Sequence, residues 1–316
     1  MDIIGTVLWP IKYVIELILV SFHWLFTALG LDTNAGITWV LAIVGLVLVV
    51  RAALIPIFVR QIKSQRKMLE VAPELKKIQE KYKGKRDQFS REAMSRETME
   101  LYRKAGTNPM SSCLPLLIQM PIFFGLFSVL SEAQKGHAGV GPMTLPLAES
   151  FANASLFGIA PLHMSFQSAM EAKPAQTVVM IIAAAMVVLM TASQFITQLQ
   201  IVSKNMSEET KASPTFRQQR VLLYILPLVF AFSGFAFPIG VMFYWLVSNF
   251  WTMIQQFIVI RNMPTPGSQA AKAREERLAR RGKLVSKDVP TVVVEEKKPT
   301  QRQQPVGKNR AKKQGK

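Results

Sequence analysis

An arginine inside a long apolar run is the residue whose chemistry most needs an explanation. Arg51 follows the fourteen residues ITWVLAIVGLVLVV and precedes AALIPIFV. In a membrane-crossing helix starting at Ile37 it lies about 21 Å along the axis, at ~1.5 Å per residue. A cation at such depth costs roughly 2.5–3.5 kcal/mol on insertion scales, so polar neighbours, water or an anionic partner must offset it. Polar side chains recur at helical spacing in the other apolar runs. Gln119 sits between Pro115 and Pro121; Thr191, Gln194 and Gln198 fall at i, i+3, i+7; Ser248, Thr252 and Gln255 fall at i, i+4, i+7, with Asn249 and Gln256 beside them. Such stripes either glue helices together or wet a cavity around the cation. No Asp or Glu falls in these runs, so an acidic segment of an incoming polypeptide is the partner that Arg51 would attract.

Reactive chemistry finds little support. Cys113 is the only cysteine, which excludes an intramolecular disulfide and any multi-cysteine metal site, and His23, His137 and His163 are the only histidines. The sequence has no GxxxxGK[ST], GxGxxG, HExxH or GxSxG motif and no pair of carboxylates within an apolar run. The expectation is a protein that is not an enzyme and needs no metal or cofactor. Met110, Met120, Met180, Met186, Met190, Met242 and Met253 lie in or beside the runs; they read as lipid-facing filler or as an adaptable surface for many apolar partners.

The elements that must hold these residues follow from charge and hydropathy. Half of the residues are hydrophobic and only 18% are charged, yet the formal net charge is +18. Residues 60–105 carry 14 Lys and Arg against 7 Asp and Glu, residues 201–220 carry 4 against 2, and residues 261–316 carry 16 against 5, a net +20 that leaves −2 for everything else. The runs 37–59, 110–130, 176–199, 221–237 and 239–260 are each close to the ~17–25 residues a spanning helix needs. The chain therefore reads as an all-α polytopic membrane protein with five core transmembrane helices. Because cytoplasmic loops carry the excess of Lys and Arg, the topology is N-outside with a cytoplasmic C-terminus. Residues 9–30, interrupted by Lys12, Glu16 and His23, read either as an amphipathic helix on the outer interface, assigned with residues 1–36, or as a sixth span.

Residues 61–105 read as a cytoplasmic helical hairpin. Leu69, Ala72, Leu75, Ile78 and Tyr82 form a stripe, Gly84 to Asp87 supply the turn, and Pro73 opens or kinks a helix. The hairpin is either a solvated spacer or a docking arm. The tail 263–316 has too few apolar residues for a core and reads as disordered and basic, suited to rRNA phosphates or anionic lipids.

Three stretches resemble one family: LVLVVRAALIPIFVRQIKSQRKM, ELYRKAGTNPMSSCLPLLIQMPIFFGLF and PIGVMFYWLVSNFWTMIQQFIVI are similar to the YidC/Oxa1/Alb3 membrane protein insertases, over roughly residues 9–262 and in the same order. The resemblance implies a bacterial plasma-membrane insertase and chaperone whose five core helices enclose a hydrophilic groove. It places Arg51, Gln119, Met120, Pro121, Tyr244, Trp245, Ser248 and Asn249 in or beside the substrate groove, to which the polar stripes add Gln194, Thr252 and Gln255. Its implied partners are nascent membrane proteins, the ribosome through tail and hairpin, the Sec translocon, the signal-recognition machinery and anionic lipids. The rival readings from the residues alone are a secondary transporter of a small anion and a structural scaffold.

Overall fold

Long apolar stretches leave backbone amides no water to bond, so they fold as helices that satisfy the backbone internally. The computed structural model describes residues 3–85, 87–107, 114–208 and 231–282, with positions 211, 225, 228 and 229. Its helices are α1 (Ile3–Ala28), α2 (Gly36–Glu70), α3 (Ala72–Lys81), α4 (Gln88–Lys104), α5 (Leu114–Gln134), α6 (Leu145–Asn153), α7 (Phe166–Glu171), α8 (Thr177–Lys204), α9 (Ile239–Asn262) and α10 (Gln269–Arg280). Residues up to Glu276 form one unit and Arg277–Lys316 a second, of which 277–282 are described.

Among the described residues four segments are long and apolar enough to cross a membrane: Leu8–Ala28, Gly36–Ser64, Leu117–Gln134 and Thr177–Lys204. Helix α9 spans 24 residues, which is long enough, but Ser248, Asn249, Thr252, Gln255 and Gln256 dilute its hydropathy. The expected run 221–237 lies largely outside the described residues; positions 225, 228, 229 and 231–234 of it are helical. The run expected at 37–59 continues in α2 through Glu70 without a break, past Pro56 on an exposed face.

Helix α1, expected either on the outer interface or as a sixth span, packs along α2 and α5. Its Ile15 and Leu19 are buried with Trp39, Ile43, Leu46 and Val47 of α2 and Leu126 and Leu130 of α5. Small residues permit the approach: a Cβ on Gly45 would lie 2.6 Å from the Phe22 ring, and one on Gly125 would lie 2.9 Å from Ile11. Close backbone contact of this kind replaces the hydrophobic drive that helices lose in lipid.

One end of the bundle carries a cap built from residues 135–175. It comprises α6, the antiparallel pair β1 (Ser155–Leu156) and β2 (Ala160–Pro161), and α7. Phe151, Ala160 and Leu162 are fully buried in it. The cap is stitched to α9, because Ile239 N donates to Met164 O at 2.9 Å and Gly240 N donates to Leu162 O at 2.9 Å. These bonds satisfy two of the donors that a helix N-terminus otherwise leaves open.

The opposite end carries the hairpin of α3 and α4. Pro73 sits in the first turn of α3, where its missing N–H costs nothing. Asp87 caps α4 by accepting from Ser90 N at 2.8 Å. Beyond α9, the segment expected to be disordered contains helix α10. Its sequence QAAKAREERLAR is rich in strong helix formers, and Ser268 Oγ caps it by accepting from Ala271 N at 3.2 Å. The loop before α10 is tied to the loop after α8, since Thr265 N donates to Asn205 Oδ1 at 2.9 Å and Ser207 and Ser268 form a β-bridge. The remainder of the tail, 283–316, lies outside the described residues.

Candidate functional site

Arg51 on α2, Gln119 on α5 and Tyr244 and Ser248 on α9 come together from three helices. Tyr244 and Ser248 are one turn apart, so both face α2. Arg51 Nη2 donates to Ser248 Oγ, and Gln119 Nε2 donates to Tyr244 Oη at 3.3 Å. Arg51, Gln119 and Tyr244 line a cavity of about 10 Å³, room for about one water. Its remaining walls are Ile15 of α1, Leu46, Val47 and Val50 of α2, and Ile122 and Leu126 of α5.

A magnitude shows what this cluster leaves undone. Interhelical polar bonds in membranes average about 0.6 kcal/mol and reach about 1.7, against roughly 2.5–3.5 kcal/mol for placing an Arg in a span. Ser248 therefore does not offset Arg51 alone. Among the described residues no carboxylate lies within ion-pair distance of the guanidinium.

The other expected site residues lie elsewhere. Thr252 Oγ1 donates to Ser248 O at 2.9 Å, so its hydroxyl serves its own helix. Trp251 Nε1 donates to Gln255 Oε1 at 2.9 Å within α9, and Asn249 Nδ2 donates across to Met190 O of α8 at 3.5 Å. Trp245 stacks on Phe123 at 5.6 Å with the rings nearly parallel, and meets Phe237 edge-on at 4.7 Å. Met120 is exposed, and Pro121 and Gln194 are half-buried. On α8 the buried polar residues are Ser193 and Thr197, not Gln194, and both hydroxyls donate to their own helix, to Met190 O and Ser193 O at 2.8 Å. None of these seven expected residues lines the Arg51 cavity.

Glu16 interrupts the apolar stretch of residues 9–30. It is 1% exposed, and its carboxylate accepts from Val140 N at 2.9 Å, Gly141 N at 2.8 Å and Met143 N at 3.4 Å. The loop lies so close that a Cβ on Gly139 would come within 2.2 Å of Glu16 and one on Gly141 within 2.5 Å of Tyr13. This clamp ties α1 to the cap one residue from Ile15. The signal for it was a carboxylate in an apolar helix together with the Gly-Val-Gly-Pro stretch 139–142. A second buried network joins the same parts: His23 Nε2 contacts Thr33 O at 2.9 Å, its ring stacks on Trp39 at 3.9 Å, and Trp39 Nε1 donates to Ser150 Oγ at 3.2 Å. Among the described residues no cluster of His, Cys, Asp and Glu could hold a metal ion.

Comparison with known proteins gives a consistent set of relatives. The family model described as "60Kd inner membrane protein" matches residues 30–266. A protein named "Membrane protein insertase YidC" from Tropheryma whipplei (strain Twist) is 47% identical over 315 residues, covering 98% of this chain and 97% of that protein. Proteins of the same name from Streptomyces avermitilis and Bifidobacterium longum are 44% and 38% identical, over 88% and 86% of this chain and 64% and 80% of their own lengths.

Proposed function

Because this chain belongs to the 60Kd inner membrane protein (YidC/Oxa1) family and carries helices apolar enough to cross a membrane repeatedly, we propose that it inserts and folds nascent membrane proteins through the Arg51 site. The observation that carries this reading is a guanidinium within the apolar segment Gly36–Ser64, bonded to Ser248 and, among the described residues, lacking a carboxylate partner. It attracts the acidic or polar flank of an incoming segment, in a low-dielectric setting where the attraction exceeds its value in water.

In this reading the small cavity is the closed form of a groove. The Gln119–Tyr244 bond crosses from α5 to α9, so its release lets the two helices part and admits water and substrate between them. The flank is then held partway into the bilayer, which shortens the apolar layer it must cross. The substrate's own apolar helix supplies the drive, at ~0.8 kcal/mol per buried CH₂, so no nucleotide is consumed. The clamp of Glu16 on residues 140–143 keeps the capped end shut while the other end admits substrate.

Charge sets the orientation. The end bearing α3 and α4 carries the basic loops and faces the cytoplasm, and the C-terminus lies on that side. There the hairpin and the basic tail meet the ribosome, anionic lipids, and the Sec and signal-recognition machinery. The test is crosslinking: a photoreactive group at Gln119 or Ser248 should capture a stalled single-span nascent chain, and one at exposed Ile196 on α8 should not. Equal capture at all three positions would contradict a dedicated site.

A further inference from the structure

The tip of the β1–β2 pair breaks two rules of soluble turns. Ile159 N donates to Leu156 O at 3.1 Å, so Phe157 and Gly158 are the central residues of a tight turn. Both have positive φ, 52° for Phe157 and 76° for Gly158. This is the pattern of a hairpin turn that ordinarily takes Asn-Gly or Asp-Gly, because a bulky side chain is strained at the first position. The strained residue is also a large apolar one that the protein leaves bare: Phe157 is 76% exposed and Ile159 57%. The flanking Leu156 and Ala160 point into the core instead. Residues 154–162, ASLFGIAPL, contain no charge.

The tip's height follows from its neighbour. A Cβ on Gly36 would lie 2.5 Å from the Ser155 carbonyl, so β1 rests against the residue where the segment Gly36–Ser64 begins. Phe157 is two residues beyond Ser155, at most about 7 Å of extended chain. The interfacial layer between the hydrocarbon core and water is of similar depth, roughly 5–7 Å on each side. The tip therefore stays within about 7 Å of the level at which the apolar segment Gly36–Ser64 begins. Trp24 and Leu29, at the end of α1 and just before Gly36, are likewise 69% and 71% exposed. Aromatic residues gather at this depth because their rings suit the headgroup boundary.

We propose that Phe157 and Ile159 form a lipid-docking tip, inserted into the headgroup–acyl boundary of the leaflet at the capped end and holding the cap against the bilayer. The backbone strain at Phe157 and the exposure of both side chains are explained together by a lipid occupant. An aqueous turn would be better served by asparagine. The tip requires only that the chain spans a membrane, so it stands whether or not the Arg51 site receives polypeptides.

The test uses full-length Cys113→Ser protein carrying Phe157→Cys or Ile159→Cys, labelled with an environment-sensitive NBD fluorophore. It is reconstituted in vesicles of phosphatidylethanolamine and phosphatidylglycerol containing spin-labelled lipid. The expected result is blue-shifted emission at both positions, quenched more by a shallow spin label than by a deep one and little affected by aqueous iodide. Red-shifted emission quenched by iodide and not by lipid would overturn the proposal, as would protection from both quenchers, which means a protein contact. Labelling could perturb the turn, so Phe157→Asn provides a second reading. Asparagine suits the left-handed backbone and should keep or raise thermal stability in detergent, while shifting a probe at Ile159→Cys toward water in vesicles. An unshifted probe at Ile159→Cys in that variant would remove Phe157 from the anchor and contradict the proposal.

Discussion

At Arg51 the bond to Ser248 covers only part of the cost of a cation in a span, and the proposed role as a receptor for acidic segments rests on that deficit. Arg51→Ala should impair insertion of substrates with acidic translocated tails more than neutral ones, and Arg51→Lys should largely retain activity; parallel insertion assays check both, and equal loss across substrates would make Arg51 structural. Glu16 works by the opposite logic, since three backbone donors satisfy it within the protein. Glu16→Gln replaces one acceptor oxygen by a donor facing backbone N–H groups, so it should cost about 1–3 kcal/mol. A thermal melt in detergent should show the drop, with residues 139–143 gaining hydrogen exchange first. Arg51 was legible in the sequence because a charge stands out in an apolar run. Glu16 was not, because the three amides that satisfy it come from a loop more than a hundred residues away.

Among the elements, the hairpin offers a pH test outside the membrane. Glu97 of α4 accepts from Lys81 Nζ at 2.5 Å and Tyr82 Oη at 2.9 Å, joining the two helices. The bond from Lys81, then that from Tyr82, holds the Glu97 carboxyl below the ordinary glutamate range, and the bond to Glu97 holds the Lys81 ammonium above the ordinary lysine range. A lowered carboxyl pKa contributes stability above its unfolded value, lost as pH falls through the folded one. A raised ammonium pKa contributes below its unfolded value, lost as pH rises through the folded one. The pair therefore links α3 to α4 across the neutral range and releases in acid. Hydrogen exchange at the α3–α4 contact should rise on acidification in the parent protein, and Glu97→Gln should show the acid-like level at neutral pH with little further change. Helix phase explains which polar residues of α8 are buried. One residue is a 100° turn, and a stripe chosen by its larger amides fell on Thr191, Gln194 and Gln198, whereas close packing buries the smaller Ser193 and Thr197. The cap of residues 135–175 escaped notice because its elements are short, and helices of six to nine residues carry too few turns for periodicity to register.

Across the whole molecule the charge partition is the most legible feature. It separates a net +20 on three stretches from a remainder at −2 that holds most of each long apolar helix, with α2 running on to Glu70 inside the first stretch and α8 to Lys204 inside the second. What composition could not supply was the place of α1, whose Lys12, Glu16 and His23 left a surface helix and a sixth span both open. The structure buries Glu16 and His23 by pairing them with distant backbone and packs Leu19 with zero exposure. The tail divides similarly: α10 is helical, with Thr265 and Ser268 buried in the loop before it, so a deletion that tests the basic tail alone should start at residue 283. Removing 283–316 should weaken ribosome co-sedimentation, and the difference from the full chain should shrink as salt rises, as phosphate contacts require. Unchanged binding at low salt would leave the tail without that role. The central claim, that this chain lowers the barrier for polar segments to cross a bilayer, is tested most directly by reconstitution. Purified protein in liposomes should insert a single-span substrate with an acidic tail well above empty liposomes, and Arg51→Ala should abolish most of the gain. Equal insertion with and without the protein would contradict the account.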